Sequence, residues 1–252
     1  MIPLRDDVPS RTFPFVNYAI IAVNVAFFVL ELGLGRGLER FFYQAAVIPA
    51  LYTGADRSLE LVEVVQGTFD PELGLRVLLA MFLHGGWAHI LGNMLYLWIF
   101  GDNVEDRMGH FRYLVFYLLC GWIATFAHIW ADPASRAPSL GASGAIAGVL
   151  GAYITLYPQA RVVTLLPLGI FTQLVSIPAV FFLGFWFLQQ FVAGALSLAA
   201  KTAQTGGVAW WAHIGGFAAG FGLVWLFARR ERRPPARDSW WQDRSAGRGS
   251  RS

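Results

Sequence analysis

The sequence predicts an all-α polytopic membrane protein, built as a bundle of six helices with a short fourth helix. Hydrophobic residues make up 56% of the 252-residue chain and charged residues 14%, whereas soluble domains are roughly 25% charged. Six apolar segments have lengths close to the about 20 residues that a helix needs to cross a bilayer. The stretch between the first two segments mixes acids with apolar patches, which predicts a partly membrane-inserted loop.

The six segments divide the chain into an N-terminal segment (1–13), a membrane domain (14–228) and a basic tail (229–252). The fourth segment begins after a Pro-Ser-Leu-Gly turn signal and stops at a Tyr-Pro pair, so it is too short to span. One end of such a helix must lie below the membrane surface, and Ser143 is at that end. The segments are expected at roughly 14–33, 89–107, 111–131, 142–158, 173–195 and 208–228.

The basic residues predict the orientation. Eight of the nineteen follow residue 228, in a tail rich in Arg, Gly and Ser. We interpret this tail as a topology anchor rather than a nucleic-acid-binding segment, because positive charge accumulates on the cytoplasmic side of membranes. Both termini are therefore expected in the cytoplasm. A single lysine and a short N-terminus without a signal or transit peptide favour a bacterial inner membrane.

Polar groups inside apolar segments are candidates for function. In HGGWAHILGNM (84–94), His89 and Asn93 are four residues apart and share one helix face. Both side chains offer N–H donors, and together they could stabilise a negatively charged oxygen. Alternatively, each simply bonds to neighbouring helices. His84 precedes them across two glycines and is expected at the helix entrance.

Two glycine-rich stretches predict a close helix pair. AHIGGFAAGFG (212–222) places Gly216 and Gly220 on one face, and SLGASGAIAGV (139–149) offers Gly144 and Gly148. Small residues spaced by four allow helix backbones to approach closely. The fourth and sixth segments run parallel in a six-span topology, so the same ends of both helices should meet.

Ser143 and His213 lie at those ends. A serine becomes a nucleophile when a base is within hydrogen-bond reach, and histidine is the commonest base. Between Arg112 and Arg229 the only acid is Asp132, in a loop, so a dyad is favoured over a triad. The start of a helix also offers unpaired N–H groups and a positive dipole end that suit an oxyanion.

The chain over roughly residues 10–228 resembles the rhomboid family of intramembrane serine proteases. The resemblance rests on HGGWAHILGN, GDNVEDRMG, GASGA and AHIGGFAAG, in that order. It implies a rhomboid-like bundle with Ser143 as nucleophile and His213 as general base. It also implies an oxyanion hole formed by the side chains of His89 and Asn93 and by the Ser143 backbone N–H. The supporting residues that it implies are His84, Glu105, Gly141, Gly144, Gly216 and Gly220.

The resemblance further implies hydrolysis of a peptide bond in or beside the transmembrane helix of a substrate. The expected substrates are single-pass or other membrane proteins with helix-breaking residues near the outer leaflet, and no metal or cofactor is expected. Many family members carry an aromatic residue four positions after the serine, where this chain has Ala147. Trp210 or Trp211 is a candidate to hold His213 instead. Gln189 and Gln190 are interpreted as interhelical hydrogen-bonding residues or as part of a substrate gate.

Two other function classes stay open. A catalytically inactive relative that binds transmembrane clients would have the same fold, but such proteins typically lack the serine or the histidine. A transporter or metal site could use His84, His89 and His213. Zinc usually recruits cysteine or carboxylate ligands as well, and Cys120 is far from all three in the sequence.

Overall fold

The computed structural model describes residues 1–55, 71–168, 171–199 and 209–229. In these ranges the chain is mostly helical, with one three-stranded antiparallel sheet. The helices are α1 (Phe15–Gly33), α2 (Leu38–Ala45), α3 (Pro49–Thr53), α4 (Pro71–Ala80), α5 (Trp87–Met108), α6 (His110–Ala131), α7 (Ser143–Leu156), α8 (Ala179–Ala199) and α9 (Trp210–Phe227). The strands are β1 (Ile2–Asp6), β2 (Arg161–Leu168) and β3 (Phe171–Pro178).

Six of these helices correspond to the six segments expected from the sequence. In the described ranges, α1, α6, α8 and α9 are long and apolar enough to cross a membrane. Helix α5 has 22 residues but is charged near its C-terminal end, and α7 has only 14 residues. The chain is therefore a mostly helical, multi-pass membrane protein, which confirms the expected fold class. That all six helices belong to the membrane domain stays a prediction.

The short helix α7 lies at the centre of the bundle. Its residues 144–153 are all buried, and it packs against α5, α6 and α9. Most residues in its first turns are glycine or alanine, and these small side chains let neighbouring backbones approach. The first residue of α7 is consequently enclosed by other helices rather than by lipid.

The fifth segment differs from the sequence expectation of a helix over 173–195. Helix α8 begins only at Ala179, and the preceding eight residues form β3. Strand β3 pairs with β2 along its whole length, and β2 pairs with β1 in the N-terminal segment. Val, Ile, Leu and Thr dominate these strands and favour extended structure, and Pro178 restricts the residue before it to extended conformations. Hydropathy alone does not separate such a strand from the apolar helix that follows it.

The bundle has two distinct ends. Strand β1 brings the N-terminus to the α7–α8 connection, and the Arg229 N–H donates to the Arg107 carbonyl at the α5–α6 junction (2.8 Å). We call this the terminal end. Helices α5, α7 and α9 all begin at the opposite end, which we call the site end. Which end faces the cytoplasm stays a prediction.

The connection between α1 and α5 packs on the connection between α6 and α7. Val47 and Ser139 exchange backbone hydrogen bonds of 3.0 and 2.7 Å, and the Ala50 N–H donates to the Ser135 carbonyl. The expected insertion of this connection into the membrane stays a prediction. Residues 56–70 of this connection, residues 200–208 between α8 and α9, and the basic tail beyond residue 229 lie outside the described residues.

Candidate active site

The structure brings the expected serine and histidine together at the site end. Ser143 is the first residue of α7 and His213 the fourth residue of α9. Their Oγ and Nε2 atoms lie 2.7 Å apart, which is a hydrogen-bond distance. His213 is buried, with 8% of its surface exposed, and Ser143 is half-buried. The hydroxyl can therefore donate its proton directly to the imidazole.

Glycines on α7 and α9 make this contact possible. A Cβ on Gly216 would lie closer than 3.0 Å to the Gly144 carbonyl oxygen, and a Cβ on Gly220 equally close to that of Gly148. The contact of Gly216 with Gly144 is followed, four residues later on each helix, by the contact of Gly220 with Gly148. The two helices therefore run parallel. Any larger residue on these faces would push the backbones apart.

His84 fixes the side chain of Asn93. The His84 Nε2 lies 3.0 Å from the Asn93 Nδ2, and its Nδ1 lies 3.3 Å from the Phe82 carbonyl oxygen. Since a carbonyl only accepts, this network assigns the proton to Nδ1, and Nε2 accepts from the amide. The His84 backbone N–H donates to Glu31 of α1 at 3.0 Å. One N–H of the Asn93 amide is thus used, and the other is available to a ligand.

His89 and Gly141 border a small space beside the serine. The Gly85 N–H donates to the His89 Nδ1 (3.3 Å), which assigns the ring proton to Nε2. A Cβ on Gly141 would lie 2.7 Å from that Nε2 and 3.7 Å from the Ser143 Oγ. Gly141 also has φ +126°, which side-chain-bearing residues rarely adopt. Glycine at this position leaves open a space that an N–H donor and the hydroxyl both face.

The N-terminus of α7 adds backbone donors to the same region. The first intrahelical hydrogen bond of α7 runs from the Ile146 N–H to the Ala142 carbonyl. The N–H groups of Ser143 and the next two residues therefore have no partner within the helix. Because α5, α7 and α9 all begin at this end, the positive ends of three helix dipoles converge near Ser143.

The second nitrogen of His213 has a partner that the sequence analysis did not assign. Its Nδ1 lies 2.7 Å from the Gln190 Oε1 on α8. The Trp186 ring, one turn earlier, packs on the imidazole with centroids 5.7 Å apart, and the Trp210 ring meets it edge-on at 6.4 Å. Trp186 and Gln190 are four residues apart, a spacing that marks one polar position on an aromatic helix face. Phe185 and Gln189 have the same spacing, so the pattern marks both glutamines and does not single out Gln190.

The GDNVEDRMG stretch lies at the terminal end, far from the dyad. The buried Glu105 carboxylate accepts from the Asn17 N–H (2.7 Å) in the first turn of α1 and contacts the His110 Nδ1. A Cβ on Gly101 would collide with the Asn17 side chain, and Gly109 turns the chain between α5 and α6 at φ +79°. Glu105 is therefore placed to tie three helices together, and its supporting role stays a prediction.

A cavity of about 20 Å³ adjoins Ser143. It is lined by Thr125 and Ser139 among mostly apolar neighbours. This volume is enough for one water molecule. The irregular backbone between α6 and α7 forms one wall.

In the part of the chain that the structure describes, the histidines of the site stand apart from other potential metal ligands. Throughout the described ranges, no three or more His, Cys, Asp or Glu side chains are grouped so as to hold a metal ion. The His84 and His89 rings are adjacent, with centroids 5.0 Å apart, but each ring has a nitrogen in contact with an amide of the protein. The alternative of a transporter or metal site gains no support from this geometry.

Comparison with known proteins identifies the family. The family model described as "Rhomboid domain" matches residues 72–230. "Rhomboid protease GluP" of Bacillus subtilis is 37% identical over 213 residues, which cover 83% of this chain and 35% of that protein. The chain belongs to the rhomboid family.

Mitochondrial proteins are also similar. "Rhomboid protein 1, mitochondrial" of Saccharomyces cerevisiae is 30% identical over 170 residues, covering 64% of this chain and 45% of that protein. "Presenilin-associated rhomboid-like protein, mitochondrial" of Bos taurus is 37% identical over 99 residues, covering 38% of this chain and 26% of that protein. The chain thus matches less than half the length of each of these relatives.

Proposed function

We propose that this chain is an intramembrane serine endopeptidase that cleaves peptide bonds in or beside transmembrane segments of other membrane proteins. The observation that carries the proposal is the 2.7 Å contact between the Ser143 Oγ and the His213 Nε2 at the start of a buried helix. Membership of the rhomboid family and similarity to a relative named as a protease support it.

Acylation begins at the serine. As the Ser143 Oγ attacks the scissile carbonyl carbon, its proton passes to the His213 Nε2. The tetrahedral intermediate then collapses, the C–N bond breaks, and the imidazolium returns the proton to the leaving amine. The acyl group remains on Oγ as an ester.

The negative oxygen of the intermediate needs donors, and three are within the site. The Nε2–H of His89, the second N–H of the Asn93 amide and the backbone N–H of Ser143 are proposed to face it. The open space beside Gly141 is where that oxygen would lie. Preorganised donors of this kind stabilise charge that develops only in the transition state.

Deacylation requires water inside the membrane domain. A water molecule in the cavity beside Ser143 would lose a proton to the His213 Nε2 and attack the ester carbonyl. Collapse of the second intermediate releases the acid product and reprotonates Oγ. The irregular connection between α6 and α7 is the proposed route for water, because irregular backbone at membrane depth is tolerated where it lines a water-filled cavity.

Substrate choice follows from the buried backbone of a helix. A transmembrane helix hides its carbonyls in hydrogen bonds, so it must unwind locally before Ser143 can attack. Membrane proteins with Gly or Pro near the outer leaflet are therefore the proposed substrates. The proposed location is a bacterial inner membrane with both termini in the cytoplasm, which puts the site end near the outer surface.

An activity probe tests the proposal. Purified protein should react covalently with a fluorophosphonate, and Ser143→Ala and His213→Ala should reduce labelling below detection. Ser197→Ala on α8 is the matched control and should label like the wild type. Absence of labelling in the wild type would contradict the proposal and favour the inactive, client-binding alternative.

A further inference from the structure

The imidazole of His213 is held from two sides by different helices. Its Nε2 faces Ser143 on α7, and its Nδ1 faces the Gln190 Oε1 on α8 at 2.7 Å. Gln190 and His213 are both 8% exposed, so water is largely excluded from this second contact. A buried hydrogen bond between neutral groups is directional and costly to lose.

The rest of the Gln190 side chain determines which way its amide points. Its Nε2 lies 3.3 Å from the Trp186 carbonyl oxygen one turn earlier on α8. A carbonyl only accepts, so the NH₂ group faces Trp186 and the oxygen faces His213. The His213 Nδ1 must then carry the proton, which leaves the Nε2 lone pair directed at the Ser143 hydroxyl. This is the tautomer that a general base requires.

Of the described residues, Gln190 is the one that lies within hydrogen-bond distance of the His213 Nδ1. At the position where many rhomboid proteins place an aromatic residue, this chain has Ala147, whose methyl group cannot stack on the ring. The Trp186 ring packs on the imidazole at 36° between planes and limits its rotation. Packing fixes the plane of the ring but cannot select a tautomer, whereas a hydrogen-bond acceptor can.

We propose that Gln190 is a positioning residue that holds His213 as the Nδ1–H tautomer, an inference that rests on the proposed protease function. In serine proteases with a triad a carboxylate has this position. Here a neutral carboxamide oxygen has it, so no charge is buried beside the dyad. The neighbouring Gln189 points away from the site and is exposed.

The two glutamines provide a matched pair of variants. Gln190→Met keeps the size of the side chain and removes the oxygen, and Gln189→Met makes the same change on the exposed face. The labelling rate with a small fluorophosphonate is the readout, because a small probe does not require α8 to admit a substrate helix. We expect Gln190→Met to slow labelling about 10- to 100-fold and Gln189→Met to leave it unchanged.

A second measurement reports the tautomer itself. In ¹⁵N-histidine-labelled wild type, the signal that disappears in His213→Ala should show the Nδ1–H tautomer. In Gln190→Met the same signal should move toward a mixture of tautomers, an effect that a purely structural role would not produce. A transmembrane substrate should show a reduced kcat at an unchanged KM.

The outcomes are distinguishable. If the wild type is not labelled, the proposed protease function fails. If the wild type is labelled and Gln190→Met labels at the same rate, the inference about Gln190 is overturned while the protease function stands. If Gln190→Met does not fold, the wild-type spectrum still decides, because an Nε2–H tautomer of His213 would overturn the inference.

Discussion

Replacing Gly220 with alanine is expected to inactivate the protein, although Gly220 lies about two helical turns from His213. A Cβ at this position would lie closer than 3.0 Å to the carbonyl oxygen, the carbonyl carbon and the Cα of Gly148. All three are backbone atoms, so no side chain can rotate away. Helices α7 and α9 must move apart instead.

The size of that movement follows from ordinary contact distances. Non-bonded heavy atoms rest at about 3.5 Å, so the two helices must separate locally by roughly 1–2 Å. The same displacement at the site end would stretch the 2.7 Å contact between the Ser143 Oγ and the His213 Nε2 beyond hydrogen-bond range. Misplacing a reacting group by about 1 Å costs on the order of 100-fold in rate. Overpacking should also lower the free energy of unfolding by about 1–3 kcal/mol.

Gly222→Ala is the matched control, since a Cβ at Gly222 would have no atom within 4 Å. Both variants gain the same helix propensity of about 1 kcal/mol, so the difference between them isolates the contact with α7. The assays are the rate of fluorophosphonate labelling and thermal unfolding in detergent. Equal labelling rates for Gly220→Ala and Gly222→Ala would refute this reasoning.

Three further changes have defined outcomes. Gly141→Ala should abolish cleavage in a gel assay, because its methyl group would occupy the space for the negative oxygen, and its strained backbone should lower the free energy of unfolding by about 1–3 kcal/mol; a variant that still cleaves would contradict this placement. Asn93→Ala should lose about 100- to 1000-fold in turnover, and less than Ser143→Ala, because other donors remain; equal losses would argue against that ordering. Burial raises the pKa of Asp6 to about 6, because the folded protein favours the protonated carboxyl. The stability that the protonated form provides is complete below pH 4 and is lost as the pH rises through 6. Allowing for partial exposure, Asp6→Asn should raise the free energy of unfolding by about 1 kcal/mol at pH 7.5 and not at pH 4, and unfolding curves that shift equally at both pH values would count against it.

The glycine faces show which part of the site could be predicted from the sequence. Residues spaced by four share a helix face whatever surrounds them, so Gly216 and Gly220 indicated a close helix contact before any partner was known. Parallel helices then placed His213 beside Ser143. This reasoning needed only helix periodicity and the order of the segments along the chain.

Gln190 shows where such reasoning ends. Its contact with His213 depends on the rotation of α8 about its axis and on the depth at which α8 begins. The start of α8 was expected six residues too early, because β3 is as apolar as the helix that follows it. Two adjacent glutamines in an apolar segment are equivalent by composition, and only the packing of α8 against α9 distinguishes the one that faces the dyad.

The two contacts of His213 depend on different kinds of structure. Backbone contacts between α7 and α9 set the separation of these helices and so limit the distance from Nε2 to the serine. No side-chain rotation can change those backbone contacts. On the proposed role of Gln190, the tautomer is set by one side chain on α8, a helix whose other face is exposed at Phe181, Leu188 and Leu196. A displacement of α8 would therefore change which nitrogen of His213 carries the proton before it changed the distance to Ser143. Variants on the glycine faces should then alter the separation of the dyad, whereas variants at Gln190 should alter only its protonation pattern.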